Sequence, residues 1–183
     1  MIIVLTGLHG GGKSYFANNI CKKYGFEIIY KNDLIKEMCE KKNINSWHNW
    51  YIENFNKDFI TTTIKILQNL PKDKDIILDS IHSYDEWMVA KKYLKDVYLA
   101  LIITPENIRK KRYEKDDFLK DIKRINYYHN KENNNINCLY VCATWAFNGI
   151  ASDEINEKSF LELLNYIDSN KTKENKLERK KKL

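Results

Sequence analysis

The chain has 183 residues, 43% of them hydrophobic, and a formal net charge of +6. This is one domain of ordinary size with enough apolar chain for a real core, and it has no apolar run near the roughly 20 residues of a membrane-spanning helix. Residues 171–183 hold seven basic and two acidic side chains, so this tail carries five of the six net charges. A nucleic-acid function inferred from overall basicity would rest on that tail, which is expected to be solvated or a frayed helix end with at most weak polyanion contact.

Ile2–Thr6 is a short, apolar, β-branched run, as expected of a central parallel strand. Its N-terminal side has no basic region of the kind that opens a signal peptide, so a cytoplasmic protein is expected. Gly7-Leu8-His9-Gly10-Gly11-Gly12-Lys13-Ser14 follows, a G-x-x-x-x-G-K-S pattern that uses four of the six glycines. Bare backbone N–H groups can surround a phosphate chain only where no Cβ intrudes, and a helix N-terminus adds free N–H groups and a favourable dipole. Phe16, Ala17, Ile20, Cys21 and Tyr24 then recur at helical spacing over 14–24, and Gly25 stands where a C-cap glycine belongs.

The second strand is predicted at Phe26–Tyr30, with a helix from about Asp33 to Lys42. A mostly helical stretch covers 46–70 and carries Trp47, Trp50, Tyr51, Phe55 and Phe59. Strand three is Ile76–Asp79; Ser83 and Glu86 then read as a capping box for a helix over 84–95. Strand four is Val97–Ile103, and Thr104-Pro105-Glu106 opens another helix. A charged segment fills 106–135. Strand five is expected at about Asn137–Val141 and a last helix at about 157–169. Four cysteines, Cys21, Cys39, Cys138 and Cys142, lack zinc spacing and read as buried reduced thiols. Alternating strands and helices imply a parallel sheet with right-handed crossovers, and ligands in such sheets bind beyond the carboxyl ends of the strands.

Gly7, Asp33, Asp79 and Thr104 all fall at that edge. The backbone of Leu8, His9, Gly10, Gly11, Gly12, Lys13, Ser14 and Tyr15 would hold the phosphates of ATP, with Lys13 on the β- and γ-phosphates. Ser14 and the strand-ending Asp79 would hold Mg²⁺. Asp33 would orient or deprotonate an acceptor hydroxyl, or simply cap its helix. Arg109 and Arg112 would close over the transferring group, with Arg124 a further candidate; Lys36 would meet an acceptor phosphate. His48 reads as a packing residue among aromatics, and His82 as a residue bordering the site.

With these motifs in order, the chain resembles the P-loop nucleotide kinases, most closely the dephospho-CoA kinases and adenylate-kinase-like proteins. The glycine loop with Asp33 resembles the opening of that family, and Ile77-Leu78-Asp79-Ser80-Ile81 its acidic strand end. Ile103-Thr104-Pro105-Glu106, leading to Arg109, Arg112 and Lys115-Asp116-Asp117, resembles the passage into its lid. Cys142–Gly149 resembles its late Ala-Asp-x-x-Ile-x-Asn-x-Gly segment, which packs near the adenine. Ser80, His82 and Thr144 depart from glycine, arginine and aspartate at the matching positions. The resemblance implies a three-layer α/β P-loop fold with a five-stranded parallel sheet over 1–170, a helical acceptor region at about 34–70 and a short lid at about 106–135. It also implies transfer of the ATP γ-phosphate to a small nucleotide-like acceptor. A regulatory NTPase or ATP-binding module and a nucleic-acid-end kinase are the alternatives.

Overall fold

The computed structural model describes residues 1–112 and 136–181. Five strands, β1 (Ile2–Thr6), β2 (Glu27–Tyr30), β3 (Ile76–Asp79), β4 (Val97–Ile103) and β5 (Trp145–Asn148), form one sheet in the order β2-β3-β1-β4-β5. Every pairing is parallel, and Leu5 and Tyr30 both lie opposite Asp79 in the register. The strand ends that the sequence places together therefore share one edge.

The helices cover both faces. Side chains alternate across a strand, so Val4 faces one apolar cluster while Ile3 and Leu5 face the other. The Val4 side is covered by α2 (Lys31–Glu40), α4 (Phe59–Leu67) and α5 (Tyr84–Tyr93), with α3 (Trp47–Lys57) and α7 (Ile136–Val141) at its margin. The Ile3 side is covered by α1 (Lys13–Asn19), a 3₁₀ turn at Cys21–Tyr24, and α8 (Asp153–Lys181). Phe16, Phe147 and Phe160 meet there, with ring centroids 4.3 Å apart for Phe16 and Phe147. The remaining helix, α6 (Glu106–Lys111), follows β4. This is the expected three-layer α/β fold.

Several local expectations shift. The 46–70 stretch is two helices, each opened by a side-chain cap: Ser46 accepts from the Asn49 N–H and Asp58 from the Thr61 N–H. The fifth strand is not at 137–141, which is helical; it is at Trp145–Asn148. Leu139 is buried while Val141 is 87% exposed, the one-sided burial of a helix. In β5 only Phe147 is buried, as expected of an edge strand. The last helix starts earlier and runs further than 157–169, and its backbone continues through the basic stretch to Lys181. Cys21 and Cys39 are buried, Cys142 is half-buried and Cys138 is exposed, which corrects the reading of four buried thiols. Burial pushes the Cys21 thiol far above its ordinary value. Among the described residues, no helix is long and apolar enough to cross a membrane.

Candidate functional site: a phosphate loop at the sheet edge

Gly12 is the N-cap of α1 and sits at φ 95°, a left-handed conformation that admits a Cβ only with strain. That turn aims the first N–H groups of α1 back across the loop. Lys13, 8% exposed, donates to the Gly7 and Leu8 carbonyl oxygens at 3.0 and 3.2 Å. Its ammonium thus lies over the loop rather than in solvent. Ser14 comes next and donates its hydroxyl to Asp79 Oδ2 at 2.6 Å. A residue from the first helical turn and one from the end of β3 are therefore brought together across 65 positions of chain.

A second set of contacts clamps the loop from β4 and beyond. Thr104 donates its hydroxyl to the Gly11 carbonyl at 2.6 Å. Arg109, buried, donates to the His9 carbonyl at 3.2 Å. Arg112 bridges two carbonyls, Gly10 at 2.9 Å and Gly149 at 3.0 Å, and so links the phosphate loop to the turn after β5. Gly149 is packed so tightly that a Cβ there would overlap the Thr104 hydroxyl and stand 2.5 Å from the Gly11 carbonyl oxygen. A cavity of about 680 Å³ opens on this side, bordered by His9, Gly12, Tyr15, Arg112, Gly149 and Asp153. Its size suits a nucleotide. Tyr15 donates to Asp153 at its rim, and that hydrogen bond, with the carboxylate's charge, raises the Tyr15 phenol above its ordinary value.

No family model matches the sequence. The structure is similar to that of a gluconokinase from Sinorhizobium meliloti 1021, with TM-score 0.60 and 13% identity over 94% of this chain and 95% of that one. It is also similar to shikimate kinase from Acinetobacter baumannii in complex with shikimate, with TM-score 0.55 and 16% identity over 93% and 94%. APS kinase from Mycobacterium tuberculosis, in complex with AMPPNP and APS, gives TM-score 0.55 and 16% identity over 90% and 96%. The chain has the fold of the P-loop kinases.

On the other side of the loop, the P-loop kinase fold places the carboxyl ends of β2 and β3. Asp33 lies in the first turn of α2, exposed, and accepts from Lys36 at 2.9 Å. His48 is exposed and packs edge-to-face on Trp47 at 5.4 Å. His82 shares a 2.8 Å hydrogen bond with the Ser80 hydroxyl, one residue past Asp79. Arg124 and Lys115–Asp117 lie outside the described residues.

The sequence reading missed a buried ion pair here. Lys31 opens α2 and donates to Glu86 Oε1 at 2.8 Å, with side chains 9% and 3% exposed. Tyr51 donates to the same oxygen at 3.1 Å, and the His82 backbone N–H to Oε2 at 3.2 Å. Glu86 therefore completes only half of a capping box: Ser83 accepts from its N–H, but its carboxylate turns to Lys31, Tyr51 and His82. Two signals pointed to it: a lysine directly after a strand, and a glutamate in the first turn of the helix after β3.

The residues present suit a Mg²⁺ ion. Ser14 and Asp79 present one hydroxyl and one carboxylate, both hard oxygen donors, and the described residues contain no larger cluster of His, Cys, Asp or Glu. Magnesium characteristically takes one or two protein oxygens and completes its shell with water and substrate phosphates.

Proposed function

We propose that this chain is an ATP-dependent phosphotransferase acting on a small acceptor held beyond the carboxyl ends of β2 and β3. The observation that carries this reading is the Ser14–Asp79 hydrogen bond of 2.6 Å beside Lys13, at the mouth of a glycine loop that opens a helix. A simple anion site needs the loop alone. A strand-end carboxylate set against the loop serine is the arrangement that would hold a metal ion beside the phosphates.

In this reading, backbone N–H groups of residues 8–15 hold the phosphate chain, and Lys13 leaves the Gly7 and Leu8 carbonyls for the β- and γ-phosphate oxygens. Ser14 and Asp79 would hold Mg²⁺, which when bound would supply charge neutralisation at the phosphates. Arg112 and Arg109, already seated on loop carbonyls, stabilise charge spread over the transferring group. Asp33 and Lys36 face the acceptor. The bond from the γ-phosphorus to its bridging oxygen breaks and a bond to an acceptor hydroxyl oxygen forms; ADP leaves and the hydroxyl proton passes to a carboxylate or to water. Catalysis is then positioning and electrostatics, with no covalent enzyme intermediate.

The test is ATP binding by calorimetry and product detection by mass, with the wild-type chain and Lys13→Ala. The proposal expects Mg·ATP binding to weaken by about 100-fold or more in Lys13→Ala, since a charge-assisted phosphate contact is lost. It also expects phosphate to appear on an acceptor. Steady ATP loss to water alone, unchanged by every acceptor tried, would replace it with an NTPase.

A further inference from the structure

The acceptor side differs from the nucleotide side in its cations. No arginine precedes Arg109 in the sequence. Arg109 and Arg112 are engaged with carbonyls of the phosphate loop and the Gly149 turn. Arginine is the side chain whose planar fork fits a carboxylate or phosphate, and these hydrogen bonds are made at the loop and the turn rather than at the β2 and β3 ends, where such a fork would be the usual means of holding an acidic acceptor. The lysines there are already matched. Lys31 is bound to buried Glu86 at 2.8 Å, and Lys36 to Asp33 at 2.9 Å. Over residues 31–60, five lysines face five carboxylates in the count of charges.

Aromatic surface takes the place of charge. Tyr51 is fixed at this edge by Glu86, and its ring lies 5.3 Å from the Lys31 ammonium. Phe55 follows one helical turn on, 5.3 Å from Tyr51 between ring centroids, and Phe59 stands 6.2 Å beyond Phe55. Tyr51 and Phe55 are half-buried, so each keeps part of its ring open. Such a ladder offers flat stacking surface, while the Ser80–His82 pair and the Asp33 carboxylate offer hydrogen bonds to hydroxyl groups.

We propose that the acceptor is an electrically neutral, hydroxyl-bearing compound with a flat ring, of the nucleoside class, and that Glu86 sets this preference by cancelling the charge of Lys31. The inference rests on the phosphotransferase reading. The step is the one already balanced: a nucleoside hydroxyl oxygen takes the γ-phosphoryl group, ADP leaves, and the hydroxyl proton is released.

The experiment uses the full chain with ATP and Mg²⁺, and measures kcat/KM by mass for each nucleoside against its own 5′-monophosphate, with shikimate and gluconate as acidic, non-nucleotide acceptors. The expected result is at least about a tenfold preference for the nucleoside. Glu86→Gln leaves the Lys31 charge uncompensated, so it should shift that ratio about tenfold toward the monophosphate, and Lys31→Met with Glu86→Gln should return it. A purely structural role for Glu86 lowers both substrates alike and leaves the ratio unmoved, which overturns the proposed role of Glu86. Preferred phosphorylation of a monophosphate, shikimate or gluconate by the wild-type chain overturns the neutral-acceptor inference while the phosphotransferase reading stands. ATP loss with no acceptor modified overturns both. The wild-type ratio decides the acceptor class even where Glu86→Gln fails to fold.

Discussion

Replacing Lys31 with methionine keeps most of the aliphatic stem and removes only the ammonium. Glu86 then remains at 3% side-chain exposure with a full negative charge and no cation at 2.8 Å. Breaking a buried pair by removing one partner costs ~3–5 kcal/mol, because the remaining ion has lost both water and its counter-charge. Two donors stay with Glu86, the Tyr51 hydroxyl at 3.1 Å and the His82 N–H at 3.2 Å, which places this case at the low end, about 3 kcal/mol. For a chain of this size each kcal/mol corresponds to about 2–4 °C, so the melting temperature should fall by about 6–12 °C. Thermal unfolding followed by circular dichroism measures this for Lys31→Met, Glu86→Gln and the double variant. The double variant should be more stable than Lys31→Met alone, since it buries neither charge unpaired. A Lys31→Met melting point within about 3 °C of wild type, near the scatter expected of a surface substitution, would refute the view that this pair is desolvated and ties α2 and α3 to the start of α5.

Other consequences follow from the loop and its clamps. Gly149→Ala forces a Cβ against Thr104 and Gly11, and should weaken ATP binding by about 30-fold or more, through overpacking and the lost Thr104–Gly11 hydrogen bond; calorimetry with unchanged affinity would count against this packing. Thr104→Val keeps the shape but leaves the Gly11 carbonyl without its 2.6 Å donor, so its effect should be smaller, about 5–10-fold. Arg112→Lys replaces a fork that spans the Gly10 and Gly149 carbonyls with a point charge that reaches one of them, and turnover should drop about tenfold even though the charge is kept. At the opposite edge, burial acts to raise the Asp96 carboxyl, but hydrogen bonds from Lys171 and Tyr98 and the nearby positive charges outweigh it and hold it below its usual value. That stability is present above the unfolded carboxylate value near pH 4 and is lost as pH falls through the lower folded value. Asp96→Asn tolerates the φ of 56° and removes the charge, so unfolding against pH should show a shallower acid limb and a loss below about 1 kcal/mol at neutral pH.

The glycine loop and its flanking strand and helix were legible because their information is local. G-x-x-x-x-G-K-S, the strand before it and the helix after it occupy fewer than 25 consecutive positions, and the same residues that form the pattern form the loop. Asp79 was legible because parallel strands end at one edge, so a carboxylate closing an apolar strand must lie near that loop. The clamps were only partly legible. Arg109 and Arg112 read as cations following β4, but nothing in the sequence says that they grip the carbonyls of residues 9, 10 and 149 across 37 to 102 positions. The fifth strand was misplaced because Asn137–Val141 and Trp145–Asn148 are both short apolar runs, and periodicity over five residues cannot separate a buried helix turn from an edge strand.

The edge at the ends of β2 and β3 was the least legible, for a physical reason. Its charges are stabilised by partners distant in sequence, Lys31 by Glu86 across 55 positions, and a pair of that kind leaves no repeating pattern. Read singly, Lys31 is a helix-start lysine and Glu86 half of a capping box. Read together, they are a neutral unit that anchors Tyr51 beside the strand carrying Asp79. The two sides of the loop thus use opposite electrostatics. Around the glycine loop, Lys13, Arg109 and Arg112 gather positive charge, where in the proposed function phosphates would add negative charge. At the β2 and β3 ends, Lys31 and Lys36 are each paired with a carboxylate. Under the proposed phosphotransferase function, such a site would draw ATP by charge and select its second substrate by shape and hydrogen bonding, so salt should weaken ATP binding much more than acceptor binding. Equal salt dependence for the two ligands would mean that the acceptor is held by charge after all, and would return Lys36 to the phosphate-binding role that its position in the sequence first suggested.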